Sequence, residues 1–257
     1  MRSLRCDLAH GGIAPSRASR DLAHGGRFSL RDMGVLIAGG TGALGSAVTR
    51  ELVDAGYACT LTWVADRERE RAEANFGDEV AFVRADLLDP AGGEEALAAV
   101  DDLEAVVNLV GGFAMTGAVH ETALDDFDRL LRLNVVPAFN LARAAMPGLV
   151  ERGGGAFVAV SARAALRPFA GAAAYIAGKA AVLAFVQALD AEYRAKGVRA
   201  NAIVPSIIDT PANRADQPDA DHSKWVQPAE IAKVVRFLLS DDSRVTSGAA
   251  IPVYGRA

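Results

Sequence analysis

From residue 35 onward the chain alternates short apolar runs with amphipathic helical patterns, and few folds accept that alternation. Runs at 35–38, 58–64, 80–84, 105–110, 156–160, 198–204 and 250–254 read as strands. Patterns at 43–55, 66–75, 125–150, 172–196 and 228–239 read as helices, the first with Leu44, Ala47, Val48 and Leu52 on one face. Strands joined through helices pair in parallel, because a parallel crossover needs a dozen or more residues. Right-handed crossovers then cover both sheet faces. The expected fold is α/β: a doubly wound parallel sheet in three layers, one domain over residues 33–257. At 257 residues and 51% apolar composition the chain has enough material for one such core. Ligands of these sheets bind at the carboxyl ends of the strands.

Residues 1–32 follow another pattern. Asp7-Leu8-Ala9-His10-Gly11-Gly12 returns as Asp21-Leu22-Ala23-His24-Gly25-Gly26, two copies too few and too polar for a repeat fold. The segment has no sustained apolar face and is expected to be a disordered extension, with Met33 the natural start of the globular part. A net charge of −5 argues against a nucleic-acid surface. No apolar run reaches the ~18 residues of a membrane span, and no Cys/His cluster has metal spacing. Cys6 and Cys59 are read as unpaired, which fits a reducing, cytoplasmic setting.

The first strand runs into Gly39-Gly40-Thr41-Gly42-Ala43-Leu44-Gly45, which opens a helix. A phosphate needs backbone N–H groups close by and a helix N-terminus behind them, and side chains in the turn would block its approach. This is the context of a dinucleotide site. The end of the second strand reads the adenosine ribose: an acid takes a 2′-hydroxyl and an arginine takes a 2′-phosphate. Trp63 stands where the acid is expected and Arg67 lies close by, which favours NADP over NAD. Asp86, with Leu87 after it, follows the third strand and is placed to accept from the adenine amino group; a turn aspartate reads equally well there.

Tyr175 and Lys179 are four residues apart, and Ser161 lies 14 residues upstream at the end of an apolar run. Only four of the 27 basic residues are lysines, so Lys179 at this spacing is informative. Reducing a carbonyl leaves negative charge on oxygen, so a proton must arrive and the charge must be held. A phenol has a pKa of about 10. An ammonium one helical turn away favours the phenolate and makes the phenol a better acid. Ser161 is placed to hold the substrate oxygen. Asn134 lies just before Pro137, which is expected to bend the helix and free backbone groups for a water on a proton path to Lys179.

These residues resemble the short-chain dehydrogenase/reductase family, over almost all of residues 34–257. The resemblance implies a Rossmann fold and a catalytic tetrad of Asn134, Ser161, Tyr175 and Lys179, with Lys179 also on the nicotinamide ribose. It implies a cofactor site including Gly39, Thr41, Gly42, Ala43, Leu44, Gly45, Asn108, Gly111 and Pro205, with Ile208 and Thr210 at the carboxamide. It also implies a homo-oligomer, commonly a tetramer, built through the helices near 125–150 and 172–196. Three positions depart from the usual pattern. Ala43 replaces a glycine, Asn108-Leu109-Val110-Gly111 replaces Asn-Asn-Ala-Gly, and Pro205-Ser206 replaces Pro-Gly. Gly111-Gly112-Phe113, the run Asp209-Thr210-Pro211-Ala212-Asn213-Arg214 and Trp225 are similar to the dihydropteridine reductase branch. That branch reduces quinonoid dihydropterins and generally lacks the serine and asparagine.

The leading reading is an NAD(P)(H)-dependent oxidoreductase acting on a small-molecule carbonyl or alcohol. A pterin reductase is the alternative, and a dinucleotide sensor without turnover is a third reading. Residues 206–227 are expected to form a lid, with Phe113, Met115, Phe169, His222 and Trp225 at the pocket.

Overall fold

The structure, a computed structural model, describes residues 33–256. The duplicated hexapeptide, Cys6 and the expected disorder of the extension lie outside the described residues. Strand β1 (Gly34–Ala38) is buried along its whole length. It leads through the glycine turn into α1 (Ala43–Asp54). Strand β2 (Ala58–Trp63), helix α2 (Asp66–Phe76) and strand β3 (Ala81–Arg84) complete the first half. Then come α3 (Gly92–Ala98), β4 (Leu103–Asn108), the long α4 (Leu124–Glu151) and β5 (Gly155–Val160). Helix α5 (Ala173–Tyr193), β6 (Val198–Pro205), α6 (Pro211–Asp216), α7 (Pro228–Leu239) and β7 (Ala250–Val253) close the chain.

The seven strands form one sheet in the order β3-β2-β1-β4-β5-β6-β7, each pair parallel. Strand order reverses between β1 and β4, so a crevice opens there at the carboxyl ends. Alternate strand residues feed two cores. Val35, Ile37, Val158 and Ile203 meet α1, α2 and α7 through Val48, Leu52, Phe76, Ile231 and Val235. Leu36, Ala38, Phe157 and Ala159 meet α4 and α5 through Leu141, Met146, Val182 and Val186. Burial on both faces is why these strands read as unbroken apolar runs.

Two helices escape the sequence pattern. Helix α3 opens on Gly92 and Gly93, poor helix formers. A Cβ on Gly93 would lie 2.3 Å from the Asn140 carbonyl of α4, so close helix packing selects glycine there. Helix α6 has only six residues, too few to show a period. Helix α4 continues through Pro137 and Pro147, so the expected bend does not interrupt it. The stretch Ala173–Lys196 is, contrary to the sequence reading, long and apolar enough to cross a membrane. Here it packs against the sheet and buries Val182, Val186 and Leu189.

Candidate active site

The glycine turn has the shape a phosphate requires. Gly39 takes φ +77°, a left-handed conformation that favours glycine. The Gly42 N–H donates to the Gly39 carbonyl at 3.2 Å and Gly42 caps α1 with no side chain. A Cβ on Gly45 would come within 2.1 Å of the Gly39 carbonyl. The first-turn N–H groups of α1, on Ala43, Leu44 and Gly45, have no partner within the helix. Thr41 is buried in the turn, and Leu44 packs into the core below it. This donor set suits a pyrophosphate.

At the end of β2, Trp63 is half-buried, with the Arg69 and Arg84 guanidiniums over its ring at 5.6 and 5.7 Å. Arg69 Nε is buried without a hydrogen-bond partner. Arg71 reaches back to the glycine turn and donates to the Thr41 carbonyl at 3.0 Å. No carboxylate replaces Trp63. The sequence reading named Arg67, which is exposed on the first turn of α2, and missed Arg69, Arg71 and Arg84. The alternation Asp66-Arg67-Glu68-Arg69-Glu70-Arg71 hides which arginines turn inward, because a helix rotates every other residue to a new face. Asp86 is exposed and accepts the Leu88 N–H at 2.9 Å, the turn role. The Leu87 side chain is core, and its carbonyl accepts from Asn140 Nδ2 at 3.0 Å, which leaves only its N–H for the cofactor.

The catalytic candidates gather where β4, β5, α4 and α5 meet. Asn108 ends β4, is buried, and accepts the Val110 N–H at 3.2 Å. Asn134 donates to the Leu130 and Gly112 carbonyls at 2.9 and 3.0 Å and accepts the Gly112 N–H at 3.2 Å. Its amide therefore pins the β4–α4 loop to α4. Asn134 Oδ1 and Lys179 Nζ converge on Gly111, where a Cβ would meet them at 2.6 and 2.7 Å. Lys179 is 5% exposed and donates to the Val160 carbonyl at 3.1 Å. Burial pushes its ammonium down to about 8. Tyr175 is half-buried, edge-on to Phe113 at 5.0 Å between ring centroids.

Burial also pushes the Tyr175 phenol up to about 12, opposite to the expected acidification. Desolvation disfavours either charge, so the crevice by itself holds a neutral phenol. Ser161 departs from expectation as well. It is 2% exposed, and its hydroxyl donates to the Lys179 backbone carbonyl at 2.7 Å, into the protein.

Residues 206–227 form a tied strap over the end of β6. Pro205 is buried, and Ile208 pairs with Val226 in an isolated bridge. Thr210 caps α6 by accepting the Asn213 N–H at 3.2 Å, and Asn213 Nδ2 donates to the Ile208 carbonyl at 2.7 Å. Asp209 receives Arg214 Nη2 at 2.8 Å and Gln227 Nε2 at 2.7 Å. The His222 ring lies tilted against Trp225, 4.4 Å between centroids, and Trp225 is buried, so these two serve the strap. Beside α5 lies an apolar cavity of about 460 Å³ walled by Val119, Pro168, Phe169, Ile176 and Ala177 among others. Of the five expected pocket residues, Phe169 lines it, and Met115 Cε packs near Gly171 on its wall.

This arrangement, a glycine-cradled helix end beside a buried lysine and a neutral phenol, is that of a nicotinamide-dependent oxidoreductase. The short chain dehydrogenase family profile matches residues 34–221. The 2-(R)-hydroxypropyl-CoM dehydrogenase of Xanthobacter autotrophicus is 30% identical over 240 residues, 86% of this chain and 96% of that enzyme. A blue fluorescent protein from a metagenomic library, solved with NADPH, is 28% identical with a TM-score of 0.77, covering 86% of this chain and 96% of that one. A gluconate 5-dehydrogenase from Burkholderia cenocepacia, solved with NADP and tartrate, is 25% identical with a TM-score of 0.79, covering 86% and 93%. The chain belongs to the short-chain dehydrogenase/reductase family and is an NAD(P)-dependent oxidoreductase.

Proposed function

We propose that the protein reduces a small carbonyl compound, or oxidises the corresponding alcohol, with Tyr175 as the proton donor or acceptor and NADP as the preferred coenzyme. One observation carries the reading: a half-buried phenol beside a buried lysine, at the crevice where the glycine turn presents its N–H groups. When bound, the coenzyme supplies or removes the hydride. The α1 N-terminus and the turn 39–45 would hold its pyrophosphate. The Trp63, Arg69, Arg71 and Arg84 cluster takes the 2′-phosphate, a reading supported by the orphaned Arg69 Nε and the missing acid. Lys179 would hold the nicotinamide ribose, and the strap residues Ile208 and Thr210 would lie at the carboxamide.

At neutral pH Tyr175 carries the proton it must give, and Lys179 is still mostly ammonium. Opposite charge favours phenolate as the proton leaves, so Lys179 stabilises the phenol after donation. The apolar wall of the 460 Å³ cavity suits an apolar substrate body. A Tyr175→Phe enzyme is expected to bind NADPH with unchanged affinity and lose at least ~100-fold in kcat. Wild-type protein should bind NADPH more tightly than NADH in parallel titrations. Turnover retained by Tyr175→Phe removes the proton-donor role.

A second reading, reduction of a quinonoid pterin, is favoured by the inward hydroxyl of Ser161. A site without a free serine matches what the dihydropteridine reductase resemblance implies. A quinonoid dihydropterin assayed beside simple ketones with NADPH and NADH separates the two. The molecule is proposed to be a homo-oligomer built on the outer faces of α4 and α5. There Phe139 is 49% exposed and lies 6.2 Å from Phe185.

A further inference from the structure

Two consecutive residues at the tip of β5 grip the same lysine. The Val160 carbonyl accepts from Lys179 Nζ at 3.1 Å, and the Ser161 hydroxyl donates to the Lys179 backbone carbonyl at 2.7 Å. The Ser161 N–H is itself bonded to the Ile203 carbonyl of β6 at 2.9 Å. One residue of α5 is thereby tied to the sheet by both its side chain and its main chain. A serine hydroxyl has a single proton. With that proton committed to a helix carbonyl and only 2% of the residue exposed, Ser161 has none left to give a substrate oxygen. The next residue offers no replacement. Ala162 is extended, at φ −157° and ψ 154°, so its side chain turns to the opposite side, and it is a methyl.

We propose that Ser161 is a positioning residue, not a catalytic one: its hydroxyl fixes the turn of α5 that carries Lys179, and the substrate oxygen receives its hydrogen bond from Tyr175 without help from this serine. The proposal rests on the reading of Tyr175 as proton donor. It makes Ser161 act through Lys179, and therefore on coenzyme affinity more than on the chemical step. A group that holds the oxygen in the transition state acts the other way, at ~10²–10³ in kcat for a single lost donor.

The test compares Ser161→Ala, Ser161→Cys and Tyr175→Phe in the full chain. It follows kcat, substrate KM, NADPH dissociation constant and thermal unfolding. Ser161→Ala is expected to keep kcat within about tenfold of wild type while NADPH binding weakens by about three- to tenfold. Ser161→Cys, of similar shape and with a weaker donor, should fall between, and its cooperative unfolding shows that a loss is not misfolding. A fall in kcat of ~100-fold or more with NADPH affinity unchanged overturns the proposal, because the hydroxyl then touches the reacting oxygen. No change in either quantity overturns it too, because the grip on Lys179 then has no consequence. An active Tyr175→Phe enzyme instead overturns the proton-donor reading beneath it, whatever Ser161 does.

Discussion

Lys179 shows what one residue must tolerate to serve a site of this kind. Its ammonium is nearly inaccessible and is pushed from 10.5 down to about 8 by burial. That shift corresponds to a penalty on the order of 3 kcal/mol for keeping the charge at neutral pH. A folded-state pKa below the unfolded value means that the native state sheds its proton first. The penalty is therefore complete below about pH 8 and fades as pH rises from there towards 10.5. Lys179→Met should abolish turnover yet raise the melting temperature at pH 7, by ~2–4 °C for each kcal/mol recovered. Melting curves at pH 7 and pH 10 check this, and an advantage that grows with pH would contradict it. For the wild type, kcat/KM for reduction should decline as pH passes about 8, because the free enzyme then loses the ammonium beside its phenol. Tyr175 and Lys179 were legible in the sequence at this scale, because helical spacing alone puts them on one face. The direction of the Ser161 hydroxyl was not, because it depends on how α5 docks on β5.

The strap after β6 shows how an element is held without a core of its own. Asp209 is gripped by Arg214, hydrogen-bonded through two guanidinium nitrogens, and by Gln227 from the far end of the loop. Those bonds, Arg214 first, hold its carboxyl well below the usual carboxylate range. A depressed carboxylate contributes above the unfolded value of about 4, and its contribution is lost only as pH falls through its lower folded value. Asp209→Asn should therefore loosen the strap at all pH values above about 4. The expected result is a several-fold rise in coenzyme and substrate KM, with little change in melting temperature. Steady-state kinetics beside a thermal melt would show it, and an unchanged KM would release the strap from any role in binding. The sequence marks this segment as polar and proline-interrupted, which reads as a lid. The bonds that make it a tied strap join residues 18 apart, and local pattern does not report them.

At the scale of the whole molecule, the outer faces of α4 and α5 stay uncovered in a single chain. Phe139 is 49% exposed beside Phe185, and α5 is apolar enough in composition to pass for a membrane span. A second copy laid on this pair of helices would cover the phenylalanines. Phe139→Glu is expected to shift the protein to monomers in light scattering while the monomer keeps its fold by circular dichroism. An unchanged oligomer would move the interface elsewhere.

The order of the strands and of the longer helices, the two-sided burial of the strands and the position of the glycine turn were determined by the chain itself. Each depends on residue type at short range: β-branched runs, helical periodicity, and glycine where a Cβ would strike a backbone oxygen. Tertiary packing decided the rest. It selected Arg69 and Arg71 from a uniform charge alternation, brought Arg84 from the next strand onto the Trp63 ring, sent Leu87 into the core, and turned Ser161 towards a lysine carbonyl. A side chain's partner depends on which surface meets it from a distant part of the chain, and that surface exists only once the layers have closed.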